Sequence, residues 1–220
     1  MEVSVVTTTF NEVERLPLLV KRIRRILDRV PHEIIVVDDG STDGTYQVAK
    51  RIADKVVVTN RLGQTFCLWL GMKLAKYDKI ITLDADLENN PKYIPVIIAL
   101  LNKFDYVHVS RKQLPRVGEK LSSSTIGRIL GVTDLFSNYR GVKKKLVEEI
   151  NVSPGETFGA EILLRSWIKG AKIINVTVTP EPRRPDSRVG RSLKGEIRVL
   201  LATVRVLIKM VYLVFLRFFS

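Results

Sequence analysis

Asp84 and Asp86 stand one residue apart at the end of an apolar run, in "IITLDADLENNP". Alternate residues of a strand project to the same side, so the two carboxylates are expected close together at a strand's carboxyl end. Two anions about 4 Å apart repel by roughly 4 kcal/mol at an effective dielectric of 20. Such a pair keeps a proton or holds a cation. A hard divalent ion on a diphosphate needs only one or two protein carboxylates, because phosphate oxygens complete its shell. Asp84 and Asp86 are therefore candidate ligands for Mg²⁺ or Mn²⁺. Asn90 and Pro91 then read as the cap and first position of the next helix. An isolated pair of this kind is also ordinary turn chemistry.

Two further strand ends carry polar clusters. "VVDDGSTDGT" puts Asp38 and Asp39 after the second apolar run, and "TTTFNE" ends the first with Thr9, Asn11 and Glu12. An acid after the second strand of a nucleotide-binding sheet commonly accepts hydrogen bonds from ribose or base. Three polar strand ends on one rim together point to a nucleotide pocket, although each alone is compatible with a plain turn.

The elements that must position these groups alternate. Glu2 to Thr9, "EIIVVDD", "KVVVT", "KIITLDAD" and "DYVHVS" read as strands. Between them Glu12–Arg29, Thr42–Ala53, Gln64–Lys76 and Pro91–Asn102 carry helical patterning. Near-continuous apolar strands in βα order predict an α/β fold, a mostly parallel sheet with helices on both faces. Ligands of such sheets bind beyond the carboxyl ends of the strands. After Ser110 the pattern changes: "RKQLPRVGEKLSSSTIGRILG" reads as a basic loop leading into a short helix. Thr157–Ile168 then reads as a helix, "AKIINVTVT" as a strand and "PEPRRPDSRVGRS" as an irregular basic loop.

The last segment, Leu193 to Phe219, is helical in pattern, with Lys194, Arg198, Arg205 and Lys209 close to one stripe among Val, Leu, Ile, Phe and Met. Its longest charge-free run, Met210 to Leu216, is short for a bilayer span, which needs about 20 apolar residues. A basic amphipathic helix lying in the lipid interface fits better, with packing on the domain or a tilted span as the other readings. The chain thus divides into a catalytic domain, 1–192, and a membrane-associating helix, 193–220.

Bulk properties agree. The 220 residues carry 36 Lys and Arg against 23 Asp and Glu, a net charge of +13, which suits anionic partners. The cations concentrate in the proline-rich loop and last helix and lack aromatic stacking platforms, which argues against nucleic acid. Cys67 is the single cysteine, which excludes disulfides within the chain. The first residues show neither a basic n-region nor a long apolar h-region, so the body is expected in the cytoplasm. His32 reads as exposed and His108 as a core residue, so a catalytic histidine is not expected.

In their order and spacing, "TTTFNE", "VVDDGSTDGT" and "LDADLENNP" resemble the family 2 glycosyltransferases of the GT-A fold. "VHVSR", "TDLFSNYRGVKKKLVEEI", "ETFGAEILLRSWIKGAKIINVTV" and "GRSLKGEI" extend the resemblance to the layout of the polyprenyl-phosphate (dolichyl-phosphate) hexose synthases. The resemblance implies an inverting transfer of a hexose from a nucleoside-diphosphate sugar to a polyprenyl phosphate, at the cytoplasmic face of a membrane. It implies that Thr8, Phe10, Glu12, Asp38 and Asp39 bind the nucleoside, and that Asp84 and Asp86 handle metal and sugar diphosphate. Glu88 stands where the subfamily usually has Gln. Arg111, Lys120 and Ser123 would meet the acceptor phosphate, Ser137 and Arg140 would lie on the acceptor side, and Arg188 and Lys194 would belong to a loop closing over the phosphates. Thr8 replaces a usual Pro, Phe10 a usual Tyr, and Asn138-Tyr139 a usual Gly-Phe.

A phosphate acceptor is already an anion near neutral pH, so no base is needed; Asp84, Asp86 and Arg111 would carry the catalysis. A family member glycosylating a neutral hydroxyl would want a base, for which Glu161 and Asp134 are the candidates. A non-catalytic sugar-nucleotide sensor is a further alternative. A dinucleotide-dependent oxidoreductase is disfavoured because no GxGxxG follows the first strand.

Overall fold

The computed structural model describes residues 2–155, 157–179 and 193–219. Seven strands form one sheet: β1 (Val3–Thr9), β2 (His32–Asp38), β3 (Lys55–Val58), β4 (Lys79–Thr82), β5 (Tyr106–Arg111), β6 (Arg140–Lys143) and β7 (Ile173–Val178). Their order is β3-β2-β1-β4-β6-β5-β7. All pairings are parallel except those of β6, which runs antiparallel to both β4 and β5.

The apolar strands serve two cores by alternation. Val5, Ile34, Val36 and Ile81 face one layer, with helices α1 (Arg15–Ile26), α2 (Thr45–Ile52) and α4 (Ile94–Leu100). Val6, Ile35, Ile80 and Val142 face the other, with α3 (Gln64–Lys73), α7 (Lys144–Glu149) and α8 (Ala160–Ile168). Period-two patterning is hidden in these runs because both faces are covered. On the second face α3 lies close against the sheet: a Cβ at Gly71 would run into Val6.

Two segments differ from the sequence expectation. The stretch expected as a loop leading into a short helix has a longer helical part than expected: after a loop to Arg116 come α5 (Val117–Ser122), a π turn over Ser123–Gly127, then α6 (Arg128–Leu130). Its Ser and Gly content disfavours a helix in isolation, and tertiary packing overrides that. Gly118 and Ser122 lie against Val199 and Thr203 of the last helix, α9 (Leu193–Phe219). The antiparallel β6 was not anticipated at all; "RGVK" is too short and too polar to announce a strand.

On α9, Val199, Ala202 and Val206 are buried in the second core. The opposite side leaves Leu200, Leu201, Val204, Leu207, Ile208, Val211 and Phe215 exposed. Arg198 and Arg205 lie exposed between the two faces. Lys209 reaches the buried Glu161 of α8, which Arg165 also pairs at 2.8 Å. By length and composition, Gly195–Leu216 is also apolar enough to cross a membrane.

Candidate active site

Parallel strands place their carboxyl ends on one rim. Thr9 pairs with Asp38 across β1 and β2, and Val6 with Thr82 across β1 and β4. The reversed strand β6 adds to this rim from the other direction. Arg140, its first residue, pairs with Thr82, the last of β4. The chain entering β6, Ser137 to Tyr139, is thereby delivered to the same edge.

A cavity of about 440 Å³ opens there. At one end lie Thr8, Phe10, Glu12, Asp39 and Arg61; Asp84, Asp86 and Glu88 form the middle; Arg111, Arg116, Glu119 and Ser137 form the other end. Val199 of α9 and Phe158 complete its wall. Asp39, Asp84 and Asp86 thus share one hollow.

β4 ends at Thr82, short of the expected Asp86, so the carboxylate pair sits in the turn beyond the strand. Leu83 still donates its N–H to the Val6 carbonyl, after which the chain leaves the sheet. Within this turn Leu87 has φ 67°, a left-handed conformation that a branched side chain adopts rarely and at a cost. Asp86 accepts the Glu88 N–H at 3.0 Å, closing a tight loop. Asn90 caps the next turn by accepting from the Lys92 N–H at 2.9 Å, as its position suggested.

Asp84 is built into a small network. Gln64 Nε2 donates to its Oδ1 at 2.6 Å and Asn138 Nδ2 to the same oxygen at 3.2 Å. Asn138 is held in turn by Arg140, whose Nη2 donates to its Oδ1 at 2.9 Å. Asp84 keeps some exposure to the cavity, but surrounding protein withdraws it from bulk water. That burial first, and Asp86 second, push its carboxyl up to about 8; the Asn138 hydrogen bond and Arg140 offset part of the rise. A proton thus stands where a cation would relieve the same repulsion.

Among the described residues no cluster of three or more His, Cys, Asp or Glu side chains could enclose a metal by itself. Two hard oxygen donors lining a cavity fit a divalent ion that takes its other ligands from a diphosphate.

At the nucleoside end, burial alone would raise the Asp39 carboxyl. Hydrogen bonds from Thr59, Leu62 and Gly63 outweigh it and hold Asp39 below the usual range. The Thr59 hydroxyl lies at 2.7 Å, the Leu62 N–H at 2.8 Å and the Gly63 N–H at 3.1 Å. Arg61 stacks its guanidinium 3.6 Å from the centre of the Phe10 ring. Arg15 donates to Glu12 at 3.0 Å.

At the far end, Arg111 forks onto Asp134, with Nε at 2.6 Å and Nη2 at 3.2 Å. Burial opposes its charge, but Asp134 and then Glu119 outweigh it and hold the guanidinium protonated more firmly than a free arginine. Arg116 donates to Glu119 at 2.6 Å.

The other expected site residues lie away from the cavity lining or outside the described residues. Asp38 is 1% exposed and outside the cavity lining; its carboxylate accepts from Thr9 and Ser41 and ties β1 to the following turn. Arg140 is fully buried; its Nη1 donates to the Gly159 carbonyl and its Nη2 to the Ser137 carbonyl and Asn138, while its Nε is buried without a hydrogen bond. It orients Asn138 and is outside the cavity lining. Ser123 is buried and accepts the Leu135 N–H. Lys120 is exposed and outside the lining. Arg188 lies outside the described residues, and so does the Lys194 side chain.

Thr8, Phe10, Glu12, Asp39, Asp84, Asp86, Glu88, Arg111 and Ser137 do meet at the cavity. Gln64, Asn138, Arg61, Arg116 and Glu119 were not singled out as site residues. Gln64 had a usable signal, since it follows Gly63, a break before an apolar helix. The bases weighed for a hydroxyl acceptor are both engaged: Asp134 is fully buried under Arg111, and Glu161 is held by Arg165 and Lys209. Neither histidine lines the cavity. His108 is buried, which with Arg140 nearby brings it down to about 4, so its ring is neutral and its Nε2 lies 2.7 Å from the Asp134 carbonyl.

The family model described as glycosyl transferase family 2 matches residues 4–167. The chain belongs to this family. Among curated family members, a dolichol-phosphate mannosyltransferase of Pyrococcus furiosus is 32% identical over 201 residues, 81% of this chain and 56% of that one. An undecaprenyl-phosphate 4-deoxy-4-formamido-L-arabinose transferase of Pseudomonas fluorescens is 37% identical over 163 residues, 66% of this chain and 48% of that one. The chain therefore spans about half the length of these relatives. A solved glucosyl-3-phosphoglycerate synthase of Mycobacterium tuberculosis, in complex with Mn²⁺ and UDP-glucose, superposes with a TM-score of 0.77 at 20% identity, covering 95% of this chain and 78% of that one. It shares the fold, the mostly parallel GT-A sheet flanked by helices.

Proposed function

We propose that this chain transfers a hexose from a nucleoside-diphosphate sugar, of the GDP-mannose or UDP-glucose type, to a polyprenyl phosphate at the cytoplasmic face of a membrane. The observation that carries the reading is the course of the cavity. It runs from Asp39 past Asp84 and Asp86 to Arg111, and its wall includes Val199 of α9, the helix whose outer face is apolar. A lipid acceptor needs such a site, with a charged end that meets the phosphate and a border on the bilayer surface. The chain's named relatives act on polyprenyl phosphates, which supports the acceptor class.

In this reading Asp39, Phe10 and Arg61 receive the nucleoside, and Glu12 and Thr8 border it. Asp84 and Asp86 would hold a divalent cation, Mg²⁺ or Mn²⁺, which when bound neutralises charge developing on the departing diphosphate. Glu88 lies beside the sugar. Arg111 draws the acceptor phosphate in, and Ser137 lies next to it. An oxygen of that phosphate attacks the anomeric carbon as the bond to the diphosphate breaks, and the nucleoside diphosphate leaves. No proton has to be removed, consistent with a site whose lining holds no histidine. Two anionic substrates repel, and Arg111 screens that repulsion while positioning the nucleophile. α9 would lie in the lipid interface, its apolar side inward and Arg198 and Arg205 against anionic headgroups.

The test offers a panel of labelled GDP- and UDP-sugars with a polyprenyl phosphate, a soluble glycan or 3-phosphoglycerate. Label entering the organic phase only with polyprenyl phosphate supports the proposal. Transfer to either soluble acceptor alone refutes it.

A further inference from the structure

At the acceptor end of the cavity Arg111 and Arg116 face two carboxylates among the described residues, Asp134 and Glu119. The two acids are held very differently. Asp134 is fully buried, accepts both Nε and Nη2 of Arg111, and also lies 3.3 Å from the Arg111 N–H. Glu119 lines the cavity at 3% exposure and accepts one short hydrogen bond, from Arg116 to its Oε1. Its Oε2 is buried and accepts no hydrogen bond, and it stands 3.6 Å from Arg111 Nη2. A buried carboxylate oxygen without a hydrogen bond is costly, and here the carboxylate reaches Arg116 through Oε1 and Arg111 through Oε2.

We infer that Glu119 is a built-in counter-ion holding the place of the acceptor's phosphate, and that the phosphate displaces it from Arg111. This inference rests on the proposed function for the identity of the acceptor, though not for the presence of an anion site. Guanidinium groups offer paired N–H donors that phosphate oxygens accept bidentately, and a phosphate has more oxygens than a carboxylate to form the hydrogen bonds that Oε2 does not. Asp134 stays and keeps Arg111 aimed. Glu119 then sets a threshold: a weakly charged anion does not overcome it, whereas a phosphate monoester does. The exchange also acts on α5, which carries Glu119 and receives the Glu196 carboxylate of α9 on the Val117 and Gly118 N–H groups, at 3.3 and 3.1 Å. Acceptor charge and the outer helix therefore meet on one short element.

Glu119→Gln removes the charge and leaves an amide oxygen for Arg116. The full chain and this variant are titrated with inorganic phosphate by calorimetry and assayed with farnesyl phosphate as a short acceptor. The expected result is phosphate binding at least fivefold tighter, a KM for farnesyl phosphate lowered by a similar factor, and an unchanged KM for the donor sugar nucleotide. Glu119→Asp, which withdraws the carboxylate by one methylene, should show a smaller gain of the same sign and carries the test if the amide variant does not fold. Phosphate affinity unchanged or weakened in the folded variants overturns the inference, as does an equal change in donor KM. If the wild-type chain transfers no sugar to any polyprenyl phosphate, the functional reading fails, while the phosphate titration still decides the role of Glu119.

Discussion

Asn138 donates its side-chain N–H to Asp84 at 3.2 Å. The amide can face only one way, because Arg140 donates to its oxygen from below. A fully buried guanidinium thus sets, through one amide, the environment of a carboxylate at the centre of the cavity. Replacing Arg140 by Met leaves the Ser137 and Gly159 carbonyls and the Asn138 oxygen without this donor. Each buried acceptor so stranded costs about 1–3 kcal/mol. The expected outcome is a loss of at least ~2 kcal/mol in denaturant unfolding, with kcat reduced and the acceptor KM little changed. A selective rise in acceptor KM with stability intact would instead place Arg140 at the acceptor.

Gly159 tests the same network from the other side. It has φ +77°, and an added Cβ would collide with Asn138 Oδ1 and Arg140 Nη2. Gly159→Ala combines the strain of a left-handed alanine, about 1 kcal/mol, with displacement of the amide. We expect lower thermal stability and turnover reduced tenfold or more, measured by melting and by initial rates.

Asp84 should make the protein's behaviour depend on pH. Its carboxyl is raised to about 8 in the metal-free fold, chiefly by burial and by Asp86, from an ordinary value of 3.8. Between those values the folded chain keeps a proton that the unfolded chain has lost. Stability in EDTA should therefore fall as pH rises from about 4 to about 8. Asp84→Asn removes this dependence and raises the melting temperature at pH 7 while abolishing transfer. Mn²⁺ competes with the same proton, so its affinity in the wild type should rise with pH over that window. A flat pH response identical in wild type and variant would contradict the raised value.

The outward face of α9 can be separated from its inward face. Ending the chain near Ser192 would remove Val199, Ala202 and Val206 from the core and would confuse folding with anchoring. The triple change Val204→Ser, Ile208→Ser and Val211→Ser alters exposed positions only. It should release the protein from vesicles containing anionic lipid and leave its melting temperature within a few degrees. Undiminished vesicle binding would show that this face does not meet lipid.

The parts of the fold that sequence disclosed are those fixed by local pattern and rim position. The βα alternation announced the parallel sheet, and Asp39, Asp84 and Asp86 could be placed on its carboxyl-end rim before any contact was known, although they follow the strands rather than end them. The remainder depended on pairing between distant segments. "RGVK" is a strand because β4 and β5 both offer it edges, and its reversal brings Asn138 to Asp84. Arg140 is polar and lies in a motif near the acceptor side, yet three buried oxygens claim its guanidinium; no local signal distinguishes that fate from an exposed one. The Ser- and Gly-bearing stretch after Arg116 coils as helix because α9 packs on it, a contact some 80 residues away in sequence, as between Ser122 and Thr203.

The central claim is that Asp84 and Asp86 grip a divalent ion together with a diphosphate, neither being held well alone. Calorimetric titration of Mn²⁺ into the full chain, with and without saturating UDP or GDP, addresses it directly. Weak Mn²⁺ binding alone, at least tenfold tightening with one of the two nucleotides, and loss of that tightening in Asp86→Ala are the expected results. Equal Mn²⁺ affinity with and without nucleotide, or full tightening in Asp86→Ala, would contradict it.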